Sequence, residues 1–433
     1  MIWNKGKECM SRDELADLQG KRLVSLVKYM YRSAAYYRTK MKNLGMEPGD
    51  IRGIEDLGKL PFTTQEDLAE AYPSGVYAMQ GRKIAQFYAL NQFSGNGMTT
   101  GFTQKDLEVW RECMARSLTM ANLGKKDVLQ TTCRCGESGC LEARCGADKI
   151  GAAALPVTVD RPSAVIGLMQ KLRVTGIVST PSSLLRVAQI VEERGLRNSL
   201  RLKAALCGGE AWTECIRKKI QEKLGAKVYD IFGLNALTGL GVACECGHQS
   251  GMHVQEDFFL AEILDTHTLL VLPGGIEGEL VFTTLQKEGI PLIRYRTMHV
   301  TKINYAACGC GRTTARIDRI CEGTDDVFFI RGNSVFALQI ESALAGLYDI
   351  RASYTIYIRR EHNLDVVDVC ISGEQPDRAD VVKRVRNAVG SVIGIRPNIR
   401  FAQNAAAKKA VWTGRAAGEG SVTIVDERRF FRK

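Results

Sequence analysis

In the middle of the chain, between Val128 and Glu210, short apolar runs alternate with amphipathic segments of helical length. The apolar runs include AAALPVTV (152–159), GIVST (176–180) and AALC (204–207). This alternation is typical of βαβ units, which build a parallel sheet with helices packed on its faces. It predicts an α/β fold for the central part of the chain.

The pattern changes twice after this central region. Beyond Gly251 the chain is rich in short β-like runs, FFLAEILD (258–265), HTLLVL (267–272) and GELVFTTL (278–285), which predict an antiparallel subdomain. After Asp326 a predicted hairpin of SYTIYI and VVDVCI precedes a helix over 377–389. We therefore expect a large N-terminal domain, residues 1–325, of layered sheets and helices plus a β-rich subdomain. A small α+β C-terminal domain, residues 326–433, follows it and is large enough to fold alone.

Composition excludes several classes of protein. The 433 residues are 45% hydrophobic and 25% charged, which is typical of a soluble globular protein and not of a disordered, collagenous or coiled-coil chain. No window has the roughly 18 apolar residues of a membrane-spanning helix, and the N-terminus has no signal-peptide core. We expect a cytoplasmic protein whose 14 cysteines are thiols, metal ligands or nucleophiles. The net charge of +11 suits an anionic ligand such as a nucleotide or coenzyme A, as well as nucleic acid.

Two glycine-rich cysteine clusters, at 244–253 and 308–312, have the composition of a zinc site. The candidate ligands are Cys246, His253, Cys308 and Cys310. Three thiolates and one imidazole fill the four tetrahedral positions of structural Zn²⁺ and leave none for a substrate. Cys244 or His248 could replace a ligand from the first cluster, and buried thiols without a metal are the alternative interpretation.

Long segments spread over nearly the whole chain carry a family resemblance. They are LGKLPFTTQEDL (57–68), DVLQ (127–130), GGEAWT (208–213), AKVYDIFGL (226–234), GELVFTTLQKEGIPLIRYRT (278–297), CGRTTARIDRI (310–320) and TDDVFFIRGNSVFALQIE (324–341). In this order they resemble the phenylacetate–CoA ligase branch of the AMP-forming acyl/aryl-CoA ligase superfamily.

The resemblance implies a large N-terminal domain and a mobile C-terminal domain hinged near Asp325 and Asp326. Family members activate a carboxylate with ATP·Mg²⁺ to an acyl-adenylate and then transfer the acyl group to coenzyme A. The implied partner is therefore a small acyl or aryl substrate, with no nucleic acid or membrane, and a homodimer or a pathway partner protein remains open. Zinc-carrying members have a set comparable to Cys246, His253, Cys308 and Cys310.

The resemblance also indicates which residues line the ligand site. They are Ser94, Gly95, Gly97, Gly208, Gly209, Glu210, Asp230, Phe232, Gly233 and Asn235. The first three belong to a loop, residues 93–101, that matches the family's phosphate loop but has no lysine. Backbone N–H groups and hydroxyls of such a loop can still cradle phosphates.

Other nucleotide-binding elements of the family are also missing their charged residues. Ala236 stands in place of the glutamate that binds Mg²⁺, and His299 in place of the aspartate that binds the ribose hydroxyls. The hinge element, residues 322–326, lacks the family's arginine, and Ser421 replaces its C-terminal lysine. We therefore expect ATP·Mg²⁺-dependent adenylation to be lost or weakened, unless the loops align differently.

Four cysteines occupy a segment, residues 132–145, that is rich in Tyr, Gly and Phe in the family and lies beside its acyl pocket. Thiolates flanked by arginine have a lowered pKa, so Cys135 or Cys133 is a candidate nucleophile. A second metal site and simple packing of small thiols are the alternatives. His299 is a candidate general base near pH 7, or a hydrogen-bonded structural residue.

These observations leave three hypotheses for the function. In the first, the protein binds an acyl or aryl carboxylate, or its coenzyme A thioester, and transfers the acyl group without adenylation. In the second, it is a non-catalytic scaffold of a pathway. In the third, it is a conventional AMP-forming acyl/aryl-CoA ligase. The sequence does not identify the substrate.

Overall fold

The structure is a computed structural model, and it describes most of the chain. The described residues are 1–73, 75–78, 83–89, 99–132, 138–157, 162–209, 212, 214–320, 322–323, 327–331, 333–336, 340, 343–344, 347, 350, 352–362, 364–372, 378–401, 412–413 and 422–428. No helix in these ranges is both long and apolar enough to cross a bilayer.

In the described chain helices come first, helices and strands alternate from residue 99 to residue 234, and strands predominate from there to residue 372. The helices are α1 (Lys5–Glu8), α2 (Arg12–Ser33), α3 (Ala35–Asn43), α4 (Gln65–Ala71), α5 (Gln104–Met120), α6 (Ser138–Ile150), α7 (Pro162–Lys171), α8 (Pro181–Glu193), α9 (Glu214–Leu224) and α10 (Arg378–Ile393). The strands are β1 (Gln86–Ala89), β2 (Thr99–Phe102), β3 (Val128–Thr132), β4 (Ala153–Val157), β5 (Gly176–Ser179), β6 (Ala204–Cys207), β7 (Lys227–Leu234), β8 (Gly239–Glu245), β9 (Met252–Val254), β10 (Phe259–Leu264), β11 (Gly278–Thr284), β12 (Tyr295–Thr301), β13 (Ile303–Asn304), β14 (Arg316–Ile317), β15 (Glu322–Gly323), β16 (Val327–Ile330), β17 (Asn333–Phe336), β18 (Ser353–Glu361), β19 (Leu364–Ser372), β20 (Asn398–Phe401), β21 (Trp412–Thr413) and β22 (Val422–Asp426).

The chain divides into two compact units. The first contains residues 1–90 and 98–322, and the second contains residues 91–97 and 323–433. The predicted domains are 1–325 and 326–433. The ligase-like role of the first and the mobility of the second stay predictions.

A mixed sheet forms the centre of the first unit. Among the described residues its strand order is β13-β14-β9-β8-β7-β6-β5-β3-β4. Strands β3 to β7 are parallel, as the alternation of strand and helix patterns predicts. Helices α5 and α6 contribute to the hydrophobic cluster on one face, and α7, α8 and α9 to the cluster on the other. The predicted α/β fold is therefore confirmed.

The β-rich part of the first unit contains the antiparallel strands β10, β11 and β12. The predicted strand over 267–272 is wrong, because this segment forms a turn with a single bridge between Leu264 and Val271. The Asp265 carboxylate accepts hydrogen bonds from the backbone N–H of His267 and of Thr268. An aspartate that bonds the backbone in this way stabilises a turn in competition with a strand.

The second unit is an α+β fold. Its sheet has the order β20-β19-β18-β22-β21 within the described ranges. Strands β18 and β19 form the predicted hairpin, with Ser353 opposite Ser372 and Glu361 opposite Leu364. On α10, Val381, Val385 and Val389 recur every four residues and therefore share one face of the helix. This face is buried in the core of the unit.

Candidate active site

The order in which successive strands are added to the central sheet reverses at β3. The chain runs outward from β3 to β4 and then continues on the other side of β3 with β5, β6 and β7. Ligands of open α/β sheets bind at the carboxyl ends of the strands, where such a reversal occurs. There the Thr132 hydroxyl donates to Ser179 Oγ at 2.6 Å, and both side chains are buried. Sequence patterns do not identify this pair, because its proximity depends on the order of the strands.

Three of the predicted ligand-binding glycines lie where the backbone leaves no room for a side chain or has a positive φ. A Cβ added to Gly208 would lie 2.2 Å from the Ile231 carbonyl oxygen, and one added to Gly233 would lie 1.8 Å from that of Gly239. Gly209 has a φ of +80°, a conformation that other residues rarely adopt. The fold therefore requires glycine at these positions.

Asp230, on β7, belongs to a network of charged groups that also includes Glu245, Arg217 and Arg319. Arg319 Nε donates to its Oδ2 at 2.9 Å, and the Arg319 guanidinium lies 4.5 Å from the centre of the Trp212 ring. The Asp230 N–H donates to Glu245, which also binds Arg217 through both carboxylate oxygens. Burial, together with the Glu245 charge, raises the pKa of Asp230 to about 7. The carboxylate predicted to bind ligand thus has a protein partner in Arg319.

His299 packs against the end of β7. Its ring lies edge-on to Phe232, with the two ring centres 5.5 Å apart. Nδ1–H donates to the Thr297 carbonyl oxygen at 2.7 Å. Burial lowers the pKa of His299 to about 4, although the bond to Thr297 opposes the shift. The imidazole is therefore neutral at pH 7 and a weak base there, and the predicted role as general base near pH 7 stays a prediction.

Lys287 is a buried cation that no motif in the sequence marks. Its Nζ donates to the carbonyl oxygen of Ala236 at 2.6 Å and lies 5.0 Å from the centre of the Phe102 ring. Only 4% of the residue is exposed. Ala236 is the position at which the family resemblance expects a Mg²⁺-binding glutamate, so an ammonium group lies at the backbone of that position.

The loop that carries Lys287 is fastened to the start of α5. Asp106 forms a capping box with Thr103, and each side chain accepts a bond from the other's backbone N–H. The same Asp106 carboxylate accepts hydrogen bonds from Glu288 N–H at 2.6 Å and Gly289 N–H at 3.0 Å. The Asp106 side chain thus both caps α5 and holds the loop at residues 288–289.

The burial of Lys287 makes the stability of the protein depend on pH. Burial lowers the pKa of this lysine to about 8, from an ordinary value of 10.5, although Asp106 opposes the shift. Between pH 8 and 10.5 the unfolded chain therefore holds more protons at this group than the folded chain, so the free energy of unfolding rises with pH. Relative to Lys287→Met, we expect the wild type to gain up to about 3 kcal/mol over this range in urea unfolding. A constant difference between the two proteins would contradict this expectation.

Several predicted site residues lie outside the described residues. They are Ser94, Gly95, Gly97, Cys133, Cys135, Glu210, Asp325 and Asp326. The predicted ligand-binding residues that the structure describes lie along the carboxyl ends of β6 and β7. Asn235 is exposed in the turn that follows β7, next to Ala236.

The four predicted metal ligands converge in the described structure. One ligand atom from each of Cys246, His253, Cys308 and Cys310 lies within 4.8 Å of the others. The Cys246 and Cys308 sulfurs are 3.7 Å apart, and Cys310 Sγ lies 3.4 Å from His253 Nε2. Tetrahedral Zn²⁺ at ordinary bond lengths requires separations of about 3.8 Å and about 3.5 Å, respectively. The donor set therefore fits Zn²⁺.

Neighbouring groups orient these ligands. His253 Nδ1 is 3.2 Å from the Thr314 carbonyl oxygen, which directs Nε2 toward the cysteines, as is usual for a metal-binding histidine. Arg312 N–H contacts Cys310 Sγ at 3.5 Å. Burial opposes ionisation of Cys310, but its bonds with His253 and Arg312 lower its pKa to about 5. The alternative ligand Cys244 instead directs its thiol toward the Ser117 carbonyl oxygen, at 3.8 Å.

The chain is similar to known ligases over most of its length. It is 37% identical to the phenylacetate-coenzyme A ligase of Thermus thermophilus over 379 residues, which cover 87% of this chain and 85% of that one. The phenylacetate-coenzyme A ligases of Pseudomonas putida and Escherichia coli are each 33% identical, and the matches cover 91% and 90% of this chain and 91% and 92% of theirs, respectively.

Domain and fold comparisons agree with these relatives. Residues 332–416 match the family described as AMP-binding enzyme C-terminal domain. A crystal structure of 2-hydroxyisobutyryl-CoA ligase with 2-HIB-AMP and CoA has a TM-score of 0.87 at 22% identity, covering 98% of this chain and 93% of that one. The amide bond synthetase McbA from Marinactinospora thermotolerans has a TM-score of 0.58 at 16% identity, covering 75% and 66%. The predicted fold and family resemblance are confirmed, and the chain belongs to the phenylacetate–coenzyme A ligase family of adenylate-forming enzymes.

Proposed function

We propose that the protein binds a small acyl or aryl carboxylate, or its coenzyme A thioester, and catalyses acyl transfer with weakened ATP-dependent adenylation. The ligand would occupy the carboxyl ends of β3, β5, β6 and β7, where open α/β sheets bind their ligands. The names of the relatives support the coenzyme A and small-acid parts of this proposal.

The weakened adenylation rests on the residues at two positions, Ala236 and His299. The family resemblance assigns a carboxylate to each, one for Mg²⁺ and one for ribose. Mg²⁺ requires oxygen ligands and is usually bound through carboxylates. Ala236 offers only its carbonyl oxygen, which already accepts a bond from the Lys287 ammonium group. A neutral imidazole at His299 has one acceptor nitrogen, whereas a carboxylate has two acceptor oxygens.

The acyl-transfer part of the proposal includes a covalent step at Cys135 or Cys133. The cysteine thiolate would attack the thioester carbonyl, the bond from carbonyl carbon to coenzyme A sulfur would break, and coenzyme A would leave as a thiolate that takes up a proton from water, in place of the one that the cysteine had released. A second nucleophile, such as another thiol, would then take the acyl group and free the cysteine. This exchange is balanced without an oxidant or a nucleotide. It needs a reactive thiolate, and Arg134, which lies between the two cysteines in the sequence, would supply a positive charge that favours one.

A conventional AMP-forming ligase is the second candidate function. The identity of 37% to the Thermus thermophilus ligase, over 87% of this chain, favours it. A non-catalytic scaffold is the third, and it would retain the fold without turnover.

Pyrophosphate exchange into ATP separates these candidates. The protein and the Thermus thermophilus ligase are assayed together with phenylacetate and other aryl and acyl acids. We expect exchange at least about 100-fold slower in this protein, because loss of one charge-stabilising group alone costs that much. Exchange within tenfold of the relative's rate would establish the conventional ligase and overturn the proposal.

Ligand binding distinguishes the enzyme from the scaffold. A ligand that binds only the folded state raises the melting temperature. We expect phenylacetyl-CoA or another acyl-CoA to raise it and to acylate one cysteine that mass spectrometry can identify. An unchanged melting temperature with every acid, acyl-CoA and coenzyme A tested would favour the scaffold.

For the metal cluster, we propose a structural Zn²⁺ in a cytoplasmic protein. Cys246, His253, Cys308 and Cys310 would fill its coordination sphere, so no position is open to a substrate. The support is the match between the ligand separations and tetrahedral geometry.

A further inference from the structure

One face of α10 carries positive and polar side chains that lie away from the core of the second unit. Lys383, Arg386, Asn387 and Ser391 recur at intervals of three and four residues. Residues at this spacing share one face of a helix. From Lys383 to Ser391 the row runs roughly 12 Å along the helix axis, at about 1.5 Å per residue.

The chain that follows α10 folds back beside this face and forms a cleft. Gly394, Ile395 and Arg396 line the cleft together with the helical residues, and its volume is about 520 Å³. This is within the range of sites for small ligands, which is about 300–1,000 Å³. A Cβ at Gly390 would lie 3.4 Å from the Ile395 carbonyl oxygen, so the return of the chain is close at that point.

The three cations of the cleft have no acidic partner in the described part of the chain. No described carboxylate lies within ion-pair distance of Lys383, Arg386 or Arg396, and residues 381–401 contain five basic side chains and no acidic one. Other cations of the unit are paired, such as Arg384 with Asp380 at 3.4 Å. Like charges around one cleft repel each other, and an anion bound there would relieve that repulsion.

The helix dipole does not account for these positions. Cations near the C-terminus of a helix interact favourably with its dipole, but the effect is confined to the last turn. The last turn of α10, which ends at Ile393, contains no basic residue. Arg386 lies about two turns and Lys383 nearly three turns before this end. A helix-stabilising role therefore leaves their placement unexplained.

We propose that this cleft binds a small ligand that carries at least two phosphate groups. Arg386 and Arg396 offer planar sets of N–H donors that match phosphate oxygens, Lys383 adds a point charge, and the Asn387 amide offers neutral donors. The three positive charges together exceed the charge of about −2 that one phosphate group carries. The phosphates could belong to the nucleotide end of coenzyme A or to a free nucleotide or pyrophosphate.

Titration calorimetry of the full-length protein tests the proposal. The probes are pyrophosphate, adenosine 3′,5′-bisphosphate, coenzyme A and dephospho-coenzyme A. In the double variant Arg386→Gln/Arg396→Gln we expect the affinity for at least one of them to fall about tenfold or more, because charge-assisted bonds to phosphate are lost. Higher salt should weaken wild-type binding to that probe, because the cleft is open to solvent. Equal affinities of wild type and variant for all four probes would overturn the proposal.

The matched control is Arg384→Gln, which removes one cation from the same helix but outside the cleft. It should leave the affinities unchanged, and a loss equal to that of the double variant would contradict a defined site. Unaltered melting temperatures would show that both variants are folded.

Loss of coenzyme A binding, with dephospho-coenzyme A already weaker in the wild type, would identify coenzyme A as the source of the phosphates. Loss of pyrophosphate and bisphosphate binding alone would identify a free ligand, whereas tighter binding of a single-stranded oligonucleotide, lost in the same variant, would overturn the small-ligand proposal.

Discussion

The double variant Ala236→Glu/His299→Asp is expected to exchange pyrophosphate into ATP roughly 10- to 100-fold faster than the wild type. It introduces the carboxylates that the family resemblance assigns to Mg²⁺ and to the ribose hydroxyls. Groups that bind the charge of a reacting nucleotide each contribute about 100-fold or more to the rate. We expect less than full restoration, because the phosphate-loop and C-terminal lysines are still missing from the matching positions. The Mg²⁺ concentration for half-maximal exchange should fall as well.

The control for this variant is Ala236→Gln/His299→Asn, which has nearly the same shape without the charges. It should exchange no faster than the wild type. An aspartate at 299 would be buried beside Phe232, and burial of a carboxylate is costly, so the single variant Ala236→Glu is assayed too. Position 236 is half-buried and packs against the core of the first unit, so the melting temperature of each variant is measured as well. Unchanged exchange in both folded variants would mean that these two positions do not limit adenylation.

The variant Cys308→Ser is expected to lose its zinc and to melt roughly 5–10 °C below the wild type. A serine hydroxyl is a poor zinc ligand, and the remaining three ligands would leave an open position. The cluster connects the β8–β9 region, which supplies Cys246 and His253, to residues 308–310, far away in sequence. Without the metal, the two buried sulfurs would pack beside each other with no bond between these segments. Metal analysis by mass spectrometry and differential scanning calorimetry measure the two effects.

The matched control is Cys244→Ser. Cys244 is also buried and belongs to the same sequence cluster, but its thiol contacts the Ser117 carbonyl oxygen. It should retain one zinc per chain, and a serine hydroxyl can keep the bond to Ser117. Equal zinc content in Cys308→Ser and the wild type would contradict the proposed ligand set. A wild-type protein that is purified without zinc and takes up none would contradict the site itself.

Features with a short sequence period were predictable from the sequence. The alternation of strands and helices around GIVST and AALC follows from local periodicity, and β5 and β6 form there. The hairpin of β18 and β19 was predictable for the same reason. The apolar residues of the segment over 267–272 predict a strand, and this prediction is wrong. Hydrogen bonds from the backbone of His267 and Thr268 to Asp265 stabilise a turn there instead.

Contacts between distant parts of the chain were not predictable in this way. Lys287 and Ala236 lie on separate segments, and neither is unusual in its local sequence. Thr132 and Ser179 meet only because β3 and β5 are adjacent strands, which a strand pattern does not reveal. The convergence of the predicted metal ligands was foreseeable, because cysteine and histidine in two glycine-rich clusters suggest a shared site without any knowledge of strand order.

The shared use of Asp106 determines how the neighbourhood of Lys287 can respond to a ligand. One carboxylate holds both the first turn of α5 and the backbone of residues 288–289. The backbone that follows Lys287 is therefore held by a long helix, while the ammonium group itself is held by the Ala236 carbonyl oxygen. A preorganised charge need not be reoriented when a ligand arrives, so little conformational entropy is lost there on binding. Displacing the backbone beside Lys287 would instead require a change at the start of α5, so in the proposed site this segment would act as a rigid template.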